Sequence, residues 1–144
     1  KIKMKTGIKV MDAMTKSPIV VGPEENLLKC AAKMIKGDVG SLIVEENGKL
    51  LGIITEKDFV NKAITNELNI KKSKAKDIMS TTMLKISPTL DLYDAIYFMS
   101  RENVRRLPVT DGEKLVGLLT YKDVLKIQPD LYDIFIEKFR IKGR

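Results

Sequence analysis

At 144 residues with 44% apolar side chains, the chain can build one compact domain or two small interlocked units. It contains no histidine, which removes the commonest general base, the usual partner of a Ser or Cys nucleophile and the commonest metal ligand; a single cysteine excludes an internal disulfide. The formal charge of +7 is concentrated in three stretches, with +4 in residues 1–10, +3 in 61–75 and +2 in 126–144, while 11–60 carry −2 and 76–125 are neutral.

No run of 18 or more apolar residues is present, so no membrane span is expected, and the basic opening leads into an amphipathic segment rather than a signal peptide. Cys30, among Leu27, Ala31 and Met34, reads as a core residue, and a reducing, cytoplasmic setting suits it.

In chain order, residues 10–14 read as a short amphipathic turn and 19–21 as a brief strand. Pro23 breaks the chain ahead of Leu27, Cys30, Ala31 and Met34, spaced for one face of a helix. Residues 41–44 and 50–54 flank Glu46-Asn47-Gly48 and read as a hairpin. Thr55-x-x-Asp58 then leads into a helix, and polar residues 67–74 form a linker.

The same order returns 65 residues later. A turn falls at 76–79, a strand at 84–86, and a helix after Pro88 on Leu92, Ala95, Ile96 and Met99. Residues 107–109 and 115–119 form a hairpin around Asp111-Gly112, followed by Thr120-x-x-Asp123 and another helix. Aligning 11–60 with 76–125 needs no gap and gives 14 identities, among them Asp12 with Asp77, Pro23 with Pro88, Gly52 with Gly117, Thr55 with Thr120 and Asp58 with Asp123. This is an internal duplication. One unit of this size cannot bury both faces of its sheet, so the copies are expected to pack around a pseudo-two-fold axis with clefts between them. After Pro129, the residues Leu131, Ile134, Phe135, Lys138 and Phe139 sketch a last amphipathic helix.

Thr-x-x-Asp at a helix start has two readings. As a capping box, the threonine accepts the third helical amide and the aspartate reaches back to the threonine amide. As a ligand site, the helix start and the threonine hydroxyl suit phosphate, whereas the carboxylate repels phosphate and suits the 2′,3′-diol of a ribose; together they suit a nucleoside. Lys57 and Lys122 beside the aspartates either neutralise phosphate or face solvent. The basic flanks, Lys1, Lys3, Lys5, Lys9 and Lys71-Lys72-Lys74, are either solvated or a non-specific nucleic-acid surface.

Gly-Ile-Ile-Thr-Glu-Lys-Asp at 52–58, Gly-Leu-Leu-Thr-Tyr-Lys-Asp at 117–123, the openings Asp-Ala-Met-Thr and Asp-Ile-Met-Ser, and Arg-Arg-Leu-Pro-Val-Thr-Asp at 105–111 are together similar to CBS domains. The resemblance covers nearly all of the chain. It implies an α+β fold of two CBS repeats, each helix-strand-helix-strand-strand-helix: residues 1–66 as the first repeat with its basic arm, 67–74 as linker, 75–127 as the second repeat and 128–144 as a C-terminal helix. It further implies a non-enzymatic regulatory sensor with no required cofactor, no metal and no catalytic residue. Its ligand would be AMP, ADP, ATP, S-adenosylmethionine or a related adenosine compound. The module would form a homodimer and act on a regulated protein or attached domain that the sequence does not identify.

Carried over residue by residue, the resemblance implies a first site of Thr15, Ile19, Val39, Gly40, Arg106, Leu118, Thr120 and Asp123, and a second of Ser80, Leu84, Val104, Arg105, Ile53, Thr55 and Asp58. Asp58 and Asp123 would hold ribose, Thr55 and Thr120 ribose or phosphate, and the apolar positions the base. Arg105-Arg106 correspond to Gly40-Ser41, so the first site is expected to prefer a phosphorylated nucleotide and the second to be weaker or to take a less anionic adenosine. The competing functions are a nucleic-acid-binding protein using the basic flanks, and a purely structural dimerisation module.

Overall fold

The computed structural model describes residues 6–133 and 137. The first repeat runs α1 (Val10–Ala13), β1 (Val20–Val21), α2 (Leu27–Gly37), β2 (Ser41–Glu46), β3 (Lys49–Thr55) and α3 (Glu56–Asp58), which continues into a π-helical turn over Phe59–Ile64. The second runs α4 (Ala75–Ile78), α5 (Leu92–Glu102), β4 (Arg106–Asp111), β5 (Lys114–Thr120) and α6 (Tyr121–Ile127), then a 3-10 turn over Pro129–Leu131. The mixed α and β composition and both hairpins match the sequence expectation. Of the expected last helix, Ile134, Phe135, Lys138 and Phe139 lie outside the described residues, as do Lys1, Lys3 and Lys5 of the basic arm.

Local chemistry explains the shared punctuation. Asn26 caps α2 by accepting the Lys29 amide at 2.8 Å, and Asp91, its counterpart 65 residues on, caps α5 by accepting the Tyr93 amide at 2.8 Å. Both helices end on a left-handed residue, Asp38 with φ 51° and Asn103 with φ 55°, the two residue types besides glycine that tolerate this conformation most readily. The first hairpin turns on Asn47 and Gly48, both at positive φ, as a tight two-residue loop requires.

One element differs between the repeats. The first has a two-residue strand, β1, parallel to β2, whereas the strand expected at 84–86 shrinks to a single bridge between Ile86 and Val109. In the first repeat the Ile43 amide donates to the Ile19 carbonyl. Position 43 corresponds to Pro108, which has no N–H to make that bond with Leu84. Leu84 is left 39% exposed.

The packing units are not colinear with the repeats. One unit gathers 6–17, 84–112 and 116–133; the other gathers 18–83 with 113–115. We call them the Asp123 unit and the Asp58 unit. Each unit thus receives the opening helix of the other repeat: α1 packs on α5 and α6, and α4 packs on β3 and the π-helical turn. The Asp123 unit is built around Val10, Leu92, Met99, Leu107, Val109, Leu119 and Val124, and the Asp58 unit around Leu27, Cys30, Leu42, Val44, Ile54 and Ile78. Each fully buried leucine or isoleucine among them contributes roughly 1.5–3 kcal/mol from burial of its side chain.

Candidate ligand-binding sites

In the Asp123 unit, the chain leaving α1 runs antiparallel to β5. The Thr15 amide donates to the Leu118 carbonyl at 2.9 Å, and the Leu118 amide donates back to the Thr15 carbonyl at 3.0 Å. This pairing delivers Thr15 of the first repeat to Asp123 of the second. Its hydroxyl lies 3.3 Å from both carboxylate oxygens, as donor. Oδ2 also accepts the Thr120 amide at 3.0 Å, and the Asp123 amide donates to Thr120 Oγ1 at 3.2 Å. Asp123 is 7% exposed, and it is the one charged residue buried among those described.

The Asp58 unit repeats the construction with the roles of the repeats reversed. Ser80, leaving α4, exchanges two backbone hydrogen bonds of 3.0 and 2.9 Å with Ile53 on β3. Asp58 Oδ2 accepts the Thr55 amide at 2.8 Å and the Thr55 hydroxyl at 3.1 Å, and the Asp58 amide donates to Thr55 Oγ1 at 3.3 Å. Both Thr-x-x-Asp motifs are therefore capping boxes. The Ser80 hydroxyl donates to the Thr82 carbonyl at 3.3 Å.

Of the first predicted set, the Asp123 unit contains Thr15, Arg106, Leu118, Thr120 and Asp123, while Ile19, Val39 and Gly40 belong to the Asp58 unit. Of the second, the Asp58 unit contains Ser80, Ile53, Thr55 and Asp58, while Leu84, Val104 and Arg105 belong to the Asp123 unit. Arg106 opens β4 half-buried, and exposed Arg105 accepts the Tyr121 amide on its carbonyl at 2.9 Å. Gly40 accepts the Glu56 amide on its carbonyl at 3.2 Å, and a side chain there would meet Glu56 Oε1 at 2.8 Å. Lys57 and Lys122 are exposed.

Sequence reasoning passed over Lys62. Its ammonium lies 3.1 Å from Asp58 Oδ1 and donates to the Ile78 carbonyl at 3.0 Å. The i, i+4 spacing from Asp58 was a readable signal; the contact with α4 was not.

Several other features recede as functional candidates. Lys74 and Lys76 both clamp Glu24, at 2.6 and 2.8 Å, and these contacts lower the Glu24 pKa to about 2, so part of the basic linker is compensated locally. A surface groove lined by Lys9, Ser87, Thr89, Asp91 and Asp94 contains none of the predicted site residues. The Asp91 carboxylate there accepts the backbone amides of Thr6, Tyr93 and Gly7, which hold its pKa below the ordinary value. Among the described residues no cluster of three or more Cys, Asp or Glu could hold a metal ion, and no helix is long and apolar enough to cross a membrane.

Cys30 is fully buried, and burial, reinforced by the nearby Glu25, pushes its thiol up to about 11. Because only the thiolate reacts, a disulfide reagent at pH 8 is expected to leave native Cys30 unmodified over the time in which the urea-unfolded chain reacts completely. Equal rates in the two states would show that the thiol is accessible.

Comparison with known proteins gives a consistent answer. The model of the CBS domain family matches residues 10–64 and 75–130. The CBS domain-containing protein YhcV of Bacillus subtilis (strain 168) is 30% identical over 115 residues, covering 80% of this chain and 81% of that protein. The crystal structure of the CBS domain pair of protein MJ0100, in complex with 5′-methylthioadenosine and S-adenosyl-L-methionine, is 26% identical with a TM-score of 0.73, covering 85% of this chain and 97% of that one. The crystal structure of CBSX2 in complex with AMP is 25% identical with a TM-score of 0.75, covering 88% and 99%.

Proposed function

The chain belongs to the CBS domain family, and from that premise we propose that it is a regulatory module that binds an adenosine compound of the AMP, ADP, ATP or S-adenosylmethionine class. The observation that carries the proposal is the buried Asp123 carboxylate, which receives a hydroxyl from Thr15 of the other repeat at 3.3 Å. A carboxylate so held is a ready acceptor for a ribose diol, and a bound diol would replace one long hydrogen bond with two charge-assisted ones. The complexes of MJ0100 and CBSX2 with adenosine compounds support the ligand class.

In this reading Asp123 and Asp58 take ribose, Thr120 and Thr55 take ribose or phosphate, and Arg106 draws the Asp123 site towards a phosphorylated ligand. No residue is assigned a catalytic role. Because Asp123 receives the Thr15 hydroxyl from the other repeat, and Asp58 is tied through Lys62 to the Ile78 carbonyl of α4, ligand binding is linked to how α1 and α4 dock. That linkage is the means by which the module would signal, as a homodimer, to a regulated partner.

A thermal-shift panel of AMP, ADP, ATP, S-adenosylmethionine, methylthioadenosine and NAD tests the proposal. A ligand at a hundred times its Kd stabilises by about 2.7 kcal/mol, enough to raise the melting temperature by several degrees. Failure of every compound to move the transition would favour a structural dimerisation module instead.

A further inference from the structure

The two carboxylates occupy equivalent places in the duplication, but they are not equally available. Among the described residues, Asp123 Oδ1 carries one hydrogen bond, from Thr15 at 3.3 Å. Asp58 has both oxygens engaged, Oδ2 by the Thr55 amide and hydroxyl and Oδ1 by the Lys62 ammonium. Position 127, where the duplication would place a second lysine, is Ile127. The helical winding differs at the same place. After Asp58 the chain widens into a π-helical turn over Phe59–Ile64, with the Thr65 amide donating to the Val60 carbonyl five residues back. After Asp123 it stays α-helical, with the Gln128 amide donating to the Val124 carbonyl four residues back. Such π turns are rare and recur at functional positions.

We propose that Lys62 is a specificity-determining residue that acts as an internal competitor at the Asp58 site. The inference rests on the adenosine-binding reading above and deepens it. Lys62 sits where a ribose hydroxyl would approach Asp58 Oδ1, and its second bond, to the last carbonyl of α4, keeps the ammonium in place. A ribonucleoside gains Asp58 only by displacing Lys62 from both partners. At the Asp123 site no lysine among the described residues has to leave. The consequence is two sites of graded affinity in one chain, the Asp123 site filling first and the Asp58 site answering only to a higher concentration.

The test is calorimetric titration with AMP in an Asp123→Asn background, which weakens the Asp123 site and brings the Asp58 site forward, each variant being compared with that background. Replacing Lys62 with methionine there is expected to tighten AMP binding about five- to tenfold, the worth of one partly exposed ion pair and one hydrogen bond. Lys62→Arg should restore the weaker affinity. Lys62→Gln keeps a donor for the Ile78 carbonyl without the charge, and guards against a folding defect; it too should tighten binding. The converse substitution, Ile127→Lys in an Asp58→Asn background, should weaken AMP at the Asp123 site by a similar factor.

A purely structural lysine would weaken binding when removed, so a gain in affinity separates the two roles. Unchanged or weaker binding in Lys62→Met and Lys62→Gln would overturn the inference, as would an undetectable Asp58 site that neither variant brings into range. If the unsubstituted chain itself binds no adenosine compound, the reading under Proposed function falls, and the role of Lys62 falls with it.

Discussion

Asp123→Asn is expected to weaken AMP binding at the tighter of the two sites by about tenfold to a hundredfold, the range spanned by loss of a charged hydrogen-bond acceptor. The substitution keeps the shape of the side chain, and an asparagine oxygen can still accept the Thr120 amide that Asp123 now accepts at 3.0 Å. The capping box is therefore retained, and the melting temperature without ligand should change little. What disappears is the negative charge that a vicinal diol would meet. Asp58→Asn should cost less, under about fivefold, because a carboxylate already paired with Lys62 at 3.1 Å offers less to a new donor. Titration of both variants with AMP measures the difference. Equal losses would show that the two sites are equivalent, and a loss of fold in Asp123→Asn would show that its carboxylate serves the helix rather than a ligand.

Much of this arrangement is legible in the sequence because it depends on local chemistry repeated at a fixed offset. The hairpins announce themselves through Asn47-Gly48 and Gly112, the helices through Pro23 and Pro88 and the apolar spacing that follows them, and the strand-to-helix junctions through Thr-x-x-Asp. The shortened strand near Leu84 was missed although its cause, Pro108, is in plain view. Seeing it requires knowing that position 43, its counterpart, spends its amide on Ile19.

The exchange of opening helices is harder to read. Nothing in the composition of α1 or α4 says which β-strand the following residue will join, since both helices carry similar apolar faces and both are followed by Met and a hydroxyl residue, Met14-Thr15 and Met79-Ser80. Lys62 was overlooked for a related reason. A lysine four residues after an aspartate on a helix ordinarily signifies a solvated pair of small worth, and only the approach of Ile78 gives it a second anchor.

The one residue that records the exchange in the sequence is the glycine that opens each Gly-x-x-Thr-x-x-Asp motif, and its replacement carries the largest expected effect on stability. A Cβ on Gly117 would stand 2.9 Å from the Thr15 carbonyl oxygen and 2.5 Å from Met14 Sδ; on Gly52 it would stand 2.8 Å from both the Ser80 carbonyl oxygen and Met79 Sδ. The sulfur ends a flexible chain and can move. The carbonyl cannot, because it is tied to the neighbouring strand residue, Thr15 to Leu118 and Ser80 to Ile53. Gly117→Ala and Gly52→Ala are therefore each expected to lower stability by about 1–3 kcal/mol, the usual cost of overpacking, with valine worse than alanine. Thermal or urea unfolding measures the loss. Gly117→Ala should also weaken AMP, since a displaced Thr15 no longer presents its hydroxyl to Asp123, whereas Gly52→Ala should leave the Asp123 site nearly intact. Trimming the sulfur as well, in Met14→Ala with Gly117→Ala, should recover little of the stability lost in Gly117→Ala. A full recovery would mean that the glycine makes room for a side chain, and not for the backbone crossing that brings Thr15 of one repeat to Asp123 of the other.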